Sequence, residues 1–407
     1  RGTPPAPAGD APAAPASRDA AAEPGEVAVP SAESPAEPPG EPVDPKEELT
    51  ARTYDVLLEG STVYRGTTAG IVIEEGAQPE QPRRLGVLVL PGSVADLAWI
   101  GRVQPPRPAE CPPRPGGSPG CPVPPPVTLV AAAAGPAGVF LVDVGDPEHP
   151  AEVGRFDTAG AAVRLAVELP LLWVADGAGG IVALDVSDPA SPRAVGGVAE
   201  PPPPEEEEAA ESATTPEAGA PAAPGAFYVR DLVRFGDRLF VAAGFFGVVV
   251  YDVRKSAGVP SLEPLLVLDT PGDARALAVD GDRVWVADGP SGLQVLDTAL
   301  HRPGEAPGIV LSYPTRDICR DVKLDVSRDK SLFPPVAYLA VGDRGLEILD
   351  VSDLATVAPL GRHVPPRPVN RVTLGPNGLL LLANDSAGLM IVDAVDPTAV
   401  RQIFPAL

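Results

Sequence analysis

Seven short pairs, most of them polar, stand at one register ahead of seven apolar runs. They are Tyr54–Asp55, Ala95–Asp96, Val163–Arg164, Arg230–Asp231, Arg275–Ala276, Arg320–Asp321 and Asn370–Arg371. Carboxylates gathered in this way could hold a cation or a polar ligand. Guanidinium groups among them would pair with the carboxylates instead. Both readings stay open: the charges neutralise one another, or Asp55, Asp96, Asp231 and Asp321 receive a ligand. The arginines of the set compete for the carboxylates and weigh against a metal. A second candidate is Phe245–Phe246 in the turn AAGFFG, where related turns read ADG or GDRG. Aromatic residues are 4 % of the chain, so two at a loop tip suggest an apolar contact for a partner, or packing on a neighbouring segment.

Other residues carry less chemistry. Asp143, Asp185, Asp252, Asp297, Asp350 and Asp393 each close an apolar run before a turn. Asp side chains accept backbone N–H groups in turns, so a structural role is expected. Calcium is the one cofactor these scattered acids suggest, and it needs six to eight oxygens that single carboxylates do not supply. His149, His301 and His363 fall in separate turn or outer-strand positions and read as solvated surface residues, not as the base of a Ser–His–Asp array. Nucleophile-elbow, phosphate-loop, haem and zinc spacings are missing, so no catalytic residue is assigned. Cys111 and Cys121 flank the segment CPPRPGGSPGC and read as a disulfide of an oxidising compartment. Cys319, inside the strand-like DICRDVKL, reads as a buried inert thiol.

The elements that must position these groups repeat. VWVADGPSGLQVLD (284–297), LWVADGAGGIVALDVSDP (172–189) and YLAVGDRGLEILDVSD (338–353) each read as strand, Gly/Asp turn and strand. Looser copies begin at residues 63, 129, 239 and 380. A further strand precedes each hairpin, as in ADLAWIG and RALAVDG, and another follows, as in PAEVGRFDT and PRAVGGVA. Four strands, here a to d, recur seven times without long helical periodicity. The expected fold is therefore all-β, a seven-bladed β-propeller of four-stranded antiparallel blades over residues 51–407. Strand a of each blade lines the central channel, which places the seven pairs at its mouth.

Proline marks what lies outside the blades. The 55 prolines concentrate in a Pro/Ala/Glu-rich leader, residues 1–50, and in two inserts, 102–126 and 199–226. None of the three shows hydrophobic periodicity, so a disordered tether and two loops are expected. The acidic insert joins blades 3 and 4 on the face of the b–c turns, and the cysteine-bearing insert hangs from the opposite face. The net charge of −24 argues against nucleic-acid binding, which needs a basic face. No apolar run approaches the ~20 residues of a membrane span.

The repeat resembles the LVIVD-repeat family of bacterial and archaeal propellers, whose unit reads YVADG-x-GL-x-VVDVSDP. VADGAGGIVALDVSDPASP (174–192) and VADGPSGLQVLDT (286–298) carry the resemblance, with LVDVGDPEHP and IVDAVDP matching its second half. Blade 1 departs from it, with Glu74 and Glu75 at the place of the strand-end aspartate. The resemblance implies the propeller and no common activity. The expectation is a monomeric, non-enzymatic binding or scaffold protein outside the cytoplasm, contacting a protein or small polar ligand. The alternative is a divalent-metal-dependent hydrolase or lyase at the channel mouth. Met390 is the sole methionine, so Arg1 is not read as a translation start, and the chain is expected to be a processed form or a fragment. A removed secretion signal, or a lipid anchor upstream of residue 1, would account for that.

Overall fold

The computed structural model describes residues 51–76, 78–106, 124–199, 227–256, 259–299, 307–326 and 334–404. The leader, Cys111, Cys121, His301 and most of both inserts lie outside these residues. The described residues form seven four-stranded antiparallel sheets, each built from one contiguous stretch with strands in chain order. Blades 1 to 7 span residues 53–89, 96–156, 164–198, 231–268, 276–313, 321–363 and 371–404. The seven-bladed propeller read from the repeats is the fold.

Burial follows position within the blade. Strands b are apolar on both sides: Leu171–Ala175 (LLWVA) and Val336–Ala340 (VAYLA) are buried at every residue. A strand covered by sheets on both faces needs a continuous apolar run, not alternation. Strands d lie outermost and carry charges, as in Ala151–Phe156 (AEVGRF), which has no buried residue. Charged edges of this kind discourage pairing with another chain. The core is accordingly divided into seven apolar layers, one between each pair of adjacent blades.

Two devices set the spacing of the blades. The b–c turns of blades 2 to 6 read Gly-x-x-Gly with both glycines at positive φ. A Cβ on the second glycine of blade 3, Gly180, would lie 2.1 Å from the Val198 carbonyl oxygen, so the close approach requires glycine. The first glycine bridges to the chain entering the next blade, as in Gly135–Ala162 and Gly289–Cys319. The second device is a glycine in strand d. Gly86, Gly154, Gly196 and Gly361 each lie under the carbonyl of a proline in the next blade: Pro147, Pro189, Pro260 and Pro397. Blade 5 has Leu311 at this place and packs it with Leu354 and Val357 of blade 6.

The ring closes without exchanging a strand between first and last blades. The Thr53 N–H donates to the Asp385 carbonyl at 2.8 Å, the same bridge that the five junctions from blade 2 to blade 7 make through glycine. Asp385 therefore takes φ 43°, a left-handed conformation that Asp tolerates better than most residues. The apolar layer at this junction is the smallest. Blade 1 places Arg65 and Glu74 where blade 3 has Val174 and Leu184. The two form a half-buried bidentate pair, Nε to Oε2 at 3.0 Å and Nη2 to Oε1 at 2.9 Å. A cavity of about 180 Å³ opens beside them, between Arg84, Ser386, Leu389 and Phe404.

Candidate functional site: the channel and its rim

A strand points successive side chains to opposite sides. Each sequence pair is therefore split. The second members, Asp55, Asp96, Arg164, Asp231, Asp321 and Arg371, turn into the channel. The first members, including Arg230, Arg275 and Arg320, lie against the b–c turns at the rim.

The channel set is a closed network. Arg164 of blade 3 reaches three blades: Nε lies 3.1 Å from Asp231 Oδ1, Nη1 3.4 Å from Asp96 Oδ1 and Nη2 3.7 Å from Asp321 Oδ1. Arg371 Nη1 lies 3.1 Å from Asp55 Oδ1 and also contacts Asp96. Lys323 Nζ approaches Asp321 at 3.8 Å. The four carboxylates also staple blades together. Asp55, Asp96, Asp231 and Asp321 accept backbone N–H groups of Leu97, Leu165, Leu277 and Val372, each in the next blade, at 2.8–3.0 Å. The channel Asp and Arg164 are buried, and the half-buried Arg371 shares their contacts. Burial raises the Asp55, Asp96 and Asp321 carboxyls above their usual range, Asp96 most clearly, with Asp55 adding to it as a like charge. Burial opposes the Arg164 charge, and the surrounding carboxylates, Asp231 first, outweigh it. Four acids thus face two arginines and one lysine.

The rim is organised differently. Arg230 Nε lies 2.6 Å from Asp273 Oδ1, and Arg275 Nη2 lies 2.7 Å from Asp273 Oδ2. Arg230 also stacks over the Tyr228 ring at 5.0 Å. Arg320 Nη1 donates to the Asn370 side-chain oxygen at 2.8 Å, and Asn370 Nδ2 donates to the Thr53 carbonyl at 3.2 Å. Tyr54 is half-buried. The two phenylalanines of the blade 4 turn diverge. Phe246 packs edge-to-face on Phe227 with centroids 5.7 Å apart, whereas Phe245 is 63 % exposed.

The recurring aspartates make turns. Asp143, Asp185, Asp297, Asp350 and Asp393 accept backbone N–H groups two residues on, at 2.9–3.0 Å. Asp252 pairs with Arg254 instead. Among the described residues, no group of three or more His, Cys, Asp or Glu is placed to hold a metal ion. Cys319 is a buried free thiol lying just before strand a of blade 6 rather than within it, and burial pushes its pKa up. His149 is exposed beside Asp146. His363 differs from the solvated residue expected: it is half-buried in strand d of blade 6, and burial lowers its pKa.

Several residues that shape the site are absent from the pairs. Asp273 holds two rim arginines, and its signal was the acid two places before Arg275 in PGDAR. Thr270 donates to Asp288 Oδ1 at 2.8 Å, clasping the turn of blade 5. Tyr228 and Asp317 carry no repeat signal.

The fold and this channel define a seven-bladed β-propeller whose blades are contiguous in sequence. It carries LVIVD repeats: that repeat matches residues 133–158, 159–199, 271–299 and 336–362, which fall on blades 2, 3, 5 and 6. No curated protein matches the sequence. Solved structures share the fold at low identity. A candidate 6-phosphogluconolactonase from Bacteroides uniformis aligns with TM-score 0.58 at 15 % identity, covering 86 % of this chain and 94 % of that one. The computationally designed Ika8 protein aligns with TM-score 0.53 at 11 % identity, covering 87 % of each chain. A chain of the mitotic checkpoint complex aligns with TM-score 0.52 at 12 % identity, covering 88 % and 96 %. Among the described residues, no helix is long and apolar enough to cross a membrane.

Proposed function

We propose that this protein is a non-enzymatic binding or scaffold protein that acts outside the cytoplasm and offers its b–c face to a protein partner. One observation carries this reading. The ionisable groups of the channel are engaged with one another and with backbone N–H groups, whereas the rim presents half-exposed arginines and Phe245. The extracytoplasmic part rests on the spacing of Cys111 and Cys121 alone.

A photo-crosslinking residue at position 245, compared with one at Asp282 on the opposite face, tests the reading in extracts of the source cells. An adduct from position 245 and none from position 282 is expected. Equal adducts, or none, would sink the proposal for this face. Calorimetric titration with calcium and manganese addresses the metal-dependent alternative. Micromolar binding lost in Asp231→Ala and Asp321→Ala would replace the scaffold reading. Free thiols at Cys111 and Cys121 before reduction would remove the support for an oxidising compartment.

A further inference from the structure

Arg230, Arg275 and Arg320 occupy one register in three consecutive blades. Each Nε lies against the first turn glycine of its own blade: 3.4 Å from the place of a Cβ on Gly244, 3.1 Å for Gly289 and 3.5 Å for Gly342. The repeat therefore builds an arc of three guanidinium groups along the rim. The remaining blades place Asn370, Tyr54, Ala95 and Val163 at this register.

The arc is incompletely neutralised. Arg230 and Arg275 share one carboxylate, Asp273, and are 31 % and 33 % exposed. Arg320 donates to a neutral amide oxygen. The nearby Asp317 carboxylate is committed to backbone N–H groups, those of Ile318 at 2.7 Å and Asp343 at 2.8 Å. A guanidinium offers five donors in a fixed fork, matched to carboxylate oxygens. Among the described residues, the three guanidinium groups thus share one directly paired carboxylate, and Arg320 is left with donors for an incoming anion.

The surroundings select among anions. The turn Gly244–Gly247 that supports Arg230 also projects Phe245, the most exposed large apolar side chain among the described residues. A small polycarboxylate has no use for that ring; a polypeptide with an apolar side chain among acidic ones does. The opposite face carries the recurring c–d turn aspartates, and the whole chain bears −24. Along the arc itself, carboxylates of an incoming segment meet guanidinium groups that outnumber the acids paired with them.

We infer that Arg230, Arg275 and Arg320 form a carboxylate-receiving arc that docks an acidic segment of a protein partner, with Phe245 as its apolar neighbour. This deepens the proposed use of the b–c face and rests on it.

The test is fluorescence anisotropy of the full chain with a labelled peptide of alternating Glu and Leu. Controls are the same peptide with Gln for Glu, and citrate as competitor. The Glu peptide is expected to bind, with affinity falling steeply with salt, and the Gln peptide is not. Arg275→Gln leaves Asp273 paired with Arg230, so the blade keeps its fold; a roughly tenfold weakening is expected for losing one charged donor group. Phe245→Ser is expected to weaken the peptide and leave citrate unchanged. Failure of both Glu peptide and citrate to bind overturns the arc. Citrate binding as tightly as the peptide, with Phe245→Ser silent, overturns the polypeptide assignment. An adduct at position 245 with no Glu-peptide binding refutes the arc while the face proposal stands. Glu-peptide binding without an adduct leaves the arc as a carboxylate-binding site and overturns the protein partner on this face.

Discussion

Gly154→Ala tests how the blades are held apart. Gly154 sits in strand d of blade 2 beneath the turn of blade 3. An added Cβ would lie 2.2 Å from the Pro189 carbonyl oxygen and 3.1 Å from the Ala190 carbonyl carbon. Relief requires one backbone segment to move by about 1 Å against packed sheets, and overpacking of this kind costs about 1–3 kcal/mol. Gly154 does not occupy a left-handed φ, so no dihedral strain is added. Loss of unfolded-chain entropy returns about 0.4–1 kcal/mol. The net expectation is a loss of about 0–2.6 kcal/mol, centred near 1.3. Gly308, also in a strand d, has nothing within 4 Å of its Cβ position. Gly308→Ala should thus gain about 0.4–1 kcal/mol by the entropy effect alone. Urea unfolding followed by tryptophan fluorescence measures both. Equal midpoints for the two variants would refute the proline-carbonyl contact as the spacer.

Three further outcomes follow from buried groups. Asp288, buried beside Thr270, has its carboxyl pushed up to about 6 by burial, with Asp273 adding to it. The native state then binds the proton more tightly than the unfolded chain. Its contribution to stability is present below the unfolded pKa of 3.8 and is lost as pH rises through about 6. Asp288→Asn, the residue type blade 7 uses as Asn384, should flatten that pH dependence and gain about 1–2 kcal/mol at pH 8. Unchanged urea midpoints across pH 4–8 would contradict it. Arg164→Met strands carboxylates of three blades and should cost about 3–5 kcal/mol at neutral pH; a loss below about 1 kcal/mol would show that the network does not hold the centre. Cys319 should resist maleimide until the chain unfolds, so labelling of the native protein, read by peptide mass, would contradict its burial.

The blades, their number and their turns were legible in the sequence because each is specified locally. Apolar runs such as LLWVA dictate doubly buried strands, and Gly-x-x-Gly dictates the b–c turn within four residues. The Asp turns were legible for the same reason. The site was legible in part. The register of the seven pairs was visible, but their division was not, since a pair reads as one polar patch until the strand's pleat separates its members.

What remained belonged to tertiary structure. Arg164 meets Asp321, 157 positions away, because the ring brings blades 3 and 6 across one narrow channel. No local pattern encodes that distance. Glu74 looked like a departure from the repeat, and ring closure makes its pair with Arg65 the polar lining of the junction between first and last blades. The glycines of strands d were visible as letters, and the proline carbonyls of the next blade gave them their reason. The sequence by itself determined seven sheets and the turns that join their strands. Packing seven wedges into a ring decided which charges are buried and which meet solvent, because burial depends on neighbours that the chain reaches only after it closes.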